Sequence, residues 1–177
     1  MVAPLLSVRN VRVGYGPITV IKGLDLDLAP GEVVAVTGSN GSGKSTLLRG
    51  LAGFQPMECS SFTISGQPAA PDSDLHRDVT YAVMDEWMWL RGMTVRDHFE
   101  VFHEESSLCD PEQALTEFGV LDLADRMPHS LSSGQLRRVT LASLLVRPWR
   151  ILFIDEPEQR LDEEYQGILA GILERYL

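Results

Sequence analysis

The 177-residue sequence predicts an α/β protein, with a mostly parallel sheet preceded by an antiparallel β part and interrupted by a helical insertion. Three observations predict it. Residues 5–28 alternate apolar and polar side chains at period two. The runs EVVAVT (32–37) and RILFID (150–155) are almost wholly apolar, as strands buried on both faces are. From about Met93 to Leu145 the pattern turns mostly helical.

LLSVRNVRV and ITVIKGLDLDL read as two strands parted by the turn signal GYGP. EVVAVT reads as a buried strand of the parallel sheet, and a helix follows it in STLLRGLAG, with Leu47, Leu48 and Leu51 on one side. FTIS is a short strand, GQPAAPDSD a loop, and DVTYAVM another strand. The helical part holds TVRDHFEVF, PEQALTEFGVL and SSGQLRRVTLASLLV, interrupted by the acidic loop HEESSLCDPE. After RILFID, the segment DEEYQGILAGILERYL reads as an amphipathic helix using Ile168, Leu169, Ile172, Leu173 and Tyr176. The expected layout is one domain over 1–177, its β-rich core at 1–84 and 146–177 and its helical subdomain at 85–145.

Composition excludes several functions. Twenty-five acidic against fifteen basic residues give a net charge of −10, and the basic residues are scattered, with Arg137-Arg138 their one adjacent pair. That argues against a nucleic-acid face, which needs clustered Lys and Arg. Cys59 and Cys109 form no metal-ligand spacing and suit a reduced, intracellular chain. The N-terminus lacks a signal-peptide layout, and no apolar run approaches the roughly 20 residues needed to cross a bilayer. Any membrane connection must come from another chain.

The stretch GSNGSGKST (38–46) carries the chemistry. Gly38 to Ser45 fits G-x-x-x-x-G-K-[ST], with an apolar run before it and a helix after it. Glycines let successive backbone N–H groups of Gly38, Ser39, Asn40, Gly41, Ser42 and Gly43 turn into one concave nest for phosphate oxygens, reinforced by the positive end of the following helix. Lys44 would reach the β- and γ-phosphates, and the Ser45 hydroxyl would hold Mg²⁺ beside Thr46. A plain flexible turn would not need lysine followed by a hydroxyl. In ILFIDEP (151–157) a carboxylate, Asp155, emerges at the tip of an apolar strand and is placed to hold Mg²⁺ through water; Glu156 can polarise the attacking water. The segment LSSGQ (131–135) on its own reads as a helix start, with Ser132 or Ser133 as the N-cap and Leu136, Val139 and Leu144 as the core side.

Together these segments resemble the nucleotide-binding subunit of an ATP-binding-cassette (ABC) transporter, over nearly the whole chain. GSNGSGKS resembles the Walker A loop of that P-loop NTPase family, ILFIDEP resembles Walker B with the catalytic glutamate at Glu156, and LSSGQ resembles the signature LSGGQ with Ser133 in place of one glycine. The resemblance puts Tyr15 where the family stacks an aromatic ring on adenine and Val20 where an apolar side chain supports the base. It implies ATP and Mg²⁺ as cofactors and a head-to-tail dimer, with identical or different chains, in which Ser132, Ser133, Gly134 and Gln135 meet the partner's nucleotide in trans. It further implies a transmembrane permease subunit as partner, docked near Trp87 and Trp89, and a cytoplasmic position on the inner face of the membrane.

The sequence departs from the family in three places. The Q-loop glutamine is missing: forward alignment puts Met84 at its position, backward alignment puts Asp85, a residue able to touch Mg²⁺ through water. Glu158, Gln159 and Arg160 replace the small residues that usually follow Walker B, although Leu161-Asp162 keeps the end of that loop. The chain stops at Leu177 inside a helix, and none of His76, His98, His103 and His129 follows Walker B, so the switch histidine and the C-terminal part of the usual domain are expected to be missing. The leading expectation is an ATPase subunit that powers transport. The alternatives are a catalytically degenerate, regulatory ATP-binding subunit, a family member in DNA repair or translation, and a small-molecule kinase.

Overall fold

The computed structural model describes residues 3–84 and 89–176, with the main chain alone for Tyr176. The chain forms two compact units. One comprises the residues up to Met84 together with Trp149–Asp155, the other the described residues from Trp89 to Pro148 together with Glu156–Tyr176.

The first unit is α/β. Strands β1 (Leu6–Tyr15) and β2 (Ile18–Leu28) pair antiparallel, with Leu6 opposite Leu28 at one end and Tyr15 opposite Ile18 at the other. The turn between them is tight: a Cβ on Gly14 would stand 2.0 Å from the Ile18 carbonyl oxygen, so no side chain fits there. Leu6, Val8, Val11 and Val13 all point into the core, which needs one slip in the two-residue beat. The slip is a bulge at Asn10, whose φ is 53° and whose N–H donates to Asp25 Oδ1 at 2.7 Å. Helix α1 (Lys44–Leu51) buries Leu47 and Leu51 in that core, while strands β3 (Met57–Glu58), β4 (Ser61–Ile64) and β5 (Gln67–Pro68) complete a five-stranded sheet in the order β2-β1-β4-β5, with β3 on β1.

Helix α2 (Asp74–Val79) occupies ground expected as loop and strand start. Ser73 accepts from the His76 N–H at its N-terminus, and this six-residue turn is held by His76, whose Nε2 lies 2.8 Å from the Leu51 carbonyl and whose Nδ1 accepts from the Asp72 N–H. Strands β6 (Thr80–Val83) and β7 (Ile151–Ile154) then pair parallel, Val83 opposite Ile154, and the ladder is prolonged by Arg150 N–H to Val79 O and Asp155 N–H to Val83 O.

One expected strand is not found. EVVAVT joins no ladder, and Val33, Val34 and Val36 are exposed rather than buried on both faces. A strand exists only through its neighbours' N–H and C=O groups. Among the described residues the parallel sheet consists of β6 and β7 alone, so this apolar run has no partner.

The second unit is helical. Helix α3 (Val95–Phe102) starts in a capping box: Thr94 Oγ1 accepts from the Asp97 N–H, and Asp97 accepts from the Thr94 N–H. Helix α4 (Pro111–Glu117) has Asp110 as N-cap and Pro111 at its first turn, where the missing N–H costs nothing. Helix α5 (Ser133–Ala142) runs into a 3-10 turn at Ser143–Leu145, and α6 (Glu163–Tyr176) closes the unit. Val95, Phe99, Leu115, Phe118, Leu141 and Leu145 are completely buried, each side chain contributing about 1.5–3 kcal/mol of transfer free energy. On α6 the buried side chains are Leu169 and Ile172, two of the apolar positions expected there.

Candidate functional site

In the first unit the loop from Gly38 to Gly43 leads directly into α1. Its conformation depends on missing side chains. A Cβ on Gly38 would meet Ser42 Oγ at 2.7 Å, and Gly43, at φ 98°, would put one 2.6 Å from Val20 Cγ1. The loop turns on a hydrogen bond from Ser42 N–H to Ser39 O, and Lys44 folds back over it, Nζ donating to the carbonyls of Gly38 at 3.0 Å and Ser39 at 3.3 Å. The ammonium is thus tied to the backbone of the loop itself.

Three other expected residues belong to the same unit. Val20 packs against the Gly43 position, as the glycine geometry shows. Tyr15 is 54 % exposed, and its hydroxyl lies 3.4 Å from that of Thr46, so the ring stands beside the first turn of α1 with most of its surface open to a ligand. Asp155 follows β7 directly and is buried, its main chain fixed to Val83. The hydroxyl of Ser45 and the carboxylate of Asp155 are hard oxygen donors of the kind that suits Mg²⁺.

The second unit carries the remaining candidates. Ser132 caps α5: its Oγ accepts from the Gln135 N–H, and Gln135 Oε1 accepts from the Ser132 N–H. The N-cap is therefore Ser132, and Ser133 is the first helical residue. A cavity lies at this helix end, lined by Ser132, Gly134, Gln135, Arg138, Arg160 and Asp162. Gly134 packs close to the Arg160 carbonyl, 3.4 Å from the position a Cβ would take. Glu156 has φ 45°, in the left-handed region that a non-glycine residue occupies only when its surroundings enforce it. Its carbonyl accepts from Arg137 Nη2 at 2.6 Å and from the Gln159 N–H at 3.0 Å.

Arg137, which holds the Glu156 carbonyl, is a contact that the sequence reading missed. It is buried, and on α5 it lies one turn before the buried Leu141. A charge on that face was the signal, since an arginine in a core must reach an acceptor.

At the missing Q-loop glutamine, Met84 is buried in the core of the first unit, and Asp85 lies outside the described residues, as does Trp87. Trp89 is half-buried and set edge-on against His98, ring centroids 4.9 Å apart, while Leu90 beside it is 57 % exposed. Among the described residues no helix is long and apolar enough to cross a membrane.

Comparison with known proteins gives a consistent result. A family model described as ABC transporter matches residues 21–159. The chain is 35 % identical over 176 residues to an aliphatic sulfonates import ATP-binding protein of Cupriavidus necator, covering 96 % of this chain and 57 % of that protein. It is 34 % identical over 174 residues to a cytochrome c biogenesis ATP-binding export protein of Paracoccus denitrificans, covering 98 % of this chain and 77 % of that protein. A solved ATP-binding subunit of an ABC transporter superposes with a TM-score of 0.81 at 24 % identity, covering 97 % of this chain and 74 % of that one, which shows the shared fold. The chain thus spans little more than half the length of the sulfonate relative.

Proposed function

Because the chain belongs to the ABC transporter family of ATP-binding proteins, we propose that it binds and hydrolyses ATP and thereby powers a partner membrane subunit. The observation that carries the proposal is the loop Gly38–Gly43 with Lys44 folded over it. It brings a run of backbone N–H groups to the N-terminus of α1, with the Lys44 ammonium bonded to the Gly38 and Ser39 carbonyls of the same loop, and both features support phosphate binding.

The roles follow from the chemistry of each group. Backbone N–H groups of residues 38–46 hold the phosphates, and Lys44 leaves the Gly38 and Ser39 carbonyls for the β- and γ-oxygens, neutralising charge that builds up in transfer. Tyr15 and Val20 offer an aromatic face and an apolar wall to adenine. Ser45 and Asp155 would hold Mg²⁺, which would supply positive charge to offset that of the phosphates; Asp85 is a further oxygen donor in the sequence. Glu156 accepts the proton of the attacking water. Ser132, Ser133, Gly134 and Gln135 present the N-terminus of α5 to a nucleotide on a second cassette, identical or different. The permease contact is assigned to the segment holding Trp87 and Trp89, where exposed Leu90 adds apolar surface, and such a contact would hold the chain on the cytoplasmic face of the membrane.

The relatives, named as ATP-binding import and export proteins, lend the degenerate, regulatory alternative no support. The test is Glu156→Gln. This reading expects Mg-ATP affinity to be kept while turnover falls by about 10²–10⁴, the contribution of a positioned general base. Undiminished turnover would remove Glu156 from the mechanism.

A further inference from the structure

The side chain of Gln159 reaches back to Glu156: Nε2 donates to Glu156 Oε2 at 2.7 Å. The rest of the amide is in an unfavourable place. Its Oε1 is enclosed and has no hydrogen-bond partner among the described residues. Exchanging the amide's oxygen and nitrogen would set an oxygen against the carboxylate, so the orientation is fixed by the one bond it makes. A buried acceptor left unsatisfied is rare and calls for an explanation in function. The same short turn also fixes the glutamate's main chain, at φ 45°, through Arg137 Nη2 and the Gln159 N–H on its carbonyl. Backbone and side chain are thus held separately, and Gln159 contributes to both.

We propose that Gln159 is a positioning residue for Glu156: its amide anchors one carboxylate oxygen and leaves the other to the attacking water. The inference rests on Glu156 acting as the base. An amide donor suits that task, because it gives a hydrogen bond to the ionised carboxylate without supplying a proton that the carboxylate could take. A serine or alanine at this place has no side chain long enough to do the same. The effect falls on the chemical step and not on nucleotide affinity, since Gln159 acts through Glu156 alone.

The experiment is a double-mutant cycle on the full chain, with kcat and KM for Mg-ATP measured for wild type, Gln159→Leu, Glu156→Gln and the double variant. Leucine keeps the volume and removes the donor. Gln159→Leu should lower kcat about tenfold with KM within twofold of wild type, and should cause no further loss once Glu156 is glutamine. An unchanged kcat, or the same tenfold loss in both backgrounds, overturns the proposal. If Glu156→Gln alone turns over as fast as wild type, the base assignment fails, and the catalytic role of the tether fails with it. A second readout is independent of turnover. The Gln159 side-chain amide resonance in the nucleotide-free protein should move to the free-glutamine position in Glu156→Ala; a resonance that does not move overturns the tether whatever the kinetics show.

Discussion

Arg137, buried on α5, donates through Nη2 to the main-chain carbonyl of Glu156 at 2.6 Å. The pair ties α5 to the residue proposed as general base, inside one compact unit. A charged group in a core is kept only where it meets an acceptor, and here the acceptor is the backbone of a residue in a left-handed conformation.

Replacing Arg137 by methionine removes this donor and keeps most of the volume. Urea unfolding should show a loss of about 1–3 kcal/mol, the range for a charge-assisted hydrogen bond and its unsatisfied partner. Arg137→Lys should recover part of it. Unchanged stability in Arg137→Met would mean that the contact does not hold the Glu156 turn.

Gly43 ends the loop 38–43 at φ 98°, with Val20 where a Cβ would go. Gly43→Ala combines a disfavoured backbone with a 2.6 Å clash and should weaken Mg-ATP binding at least about tenfold, with Tm lowered as well. Gly41, also at positive φ, has open space at its Cβ position, so Gly41→Ala carries the backbone strain without the clash and should be milder. Equal titration curves for wild type and Gly43→Ala would contradict this geometry.

His76 makes stability depend on pH in a definite direction. Its pKa is lowered, chiefly by burial, with the Leu51 carbonyl and the Asp72 carboxylate acting the other way and Arg77 reinforcing the lowering. The group binds a proton more readily in the unfolded chain, so its contribution is complete above the unfolded value near 6.5 and is lost as pH falls below it. The urea midpoint of wild type should therefore decline between about pH 6.5 and 5 more steeply than that of His76→Gln. Parallel pH profiles would show that His76 is not the group responsible.

Local signals were legible in the sequence and non-local partners were not. The loop Gly38–Gly43 and the helix after it were readable because their glycines, lysine and hydroxyl lie within nine consecutive residues and need no distant neighbour to be recognised. The β1–β2 hairpin and α3, α4, α5 and α6 likewise follow from turn residues, caps and spacing close in the chain. EVVAVT was read as a strand on apolar content alone, but a ladder depends on the adjacent strand, which that content does not reveal. Helix α2 was missed because six residues give barely one period; Ser73, a good N-cap, was its only strong mark. At the site, Arg137 and Gln159 were visible as residues out of pattern, yet their common target, Glu156, emerges only when the chain is folded.

The central claim is that residues 38–46 grip the phosphates of ATP, with Lys44 as the cation. Calorimetric titration of the chain and of Lys44→Ala with Mg-ATP tests it most directly. The account predicts saturable binding for wild type and an affinity reduced at least about tenfold in Lys44→Ala, the loss of a charged hydrogen bond to phosphate. Equal affinity in the two proteins, or no binding heat in either, would contradict it.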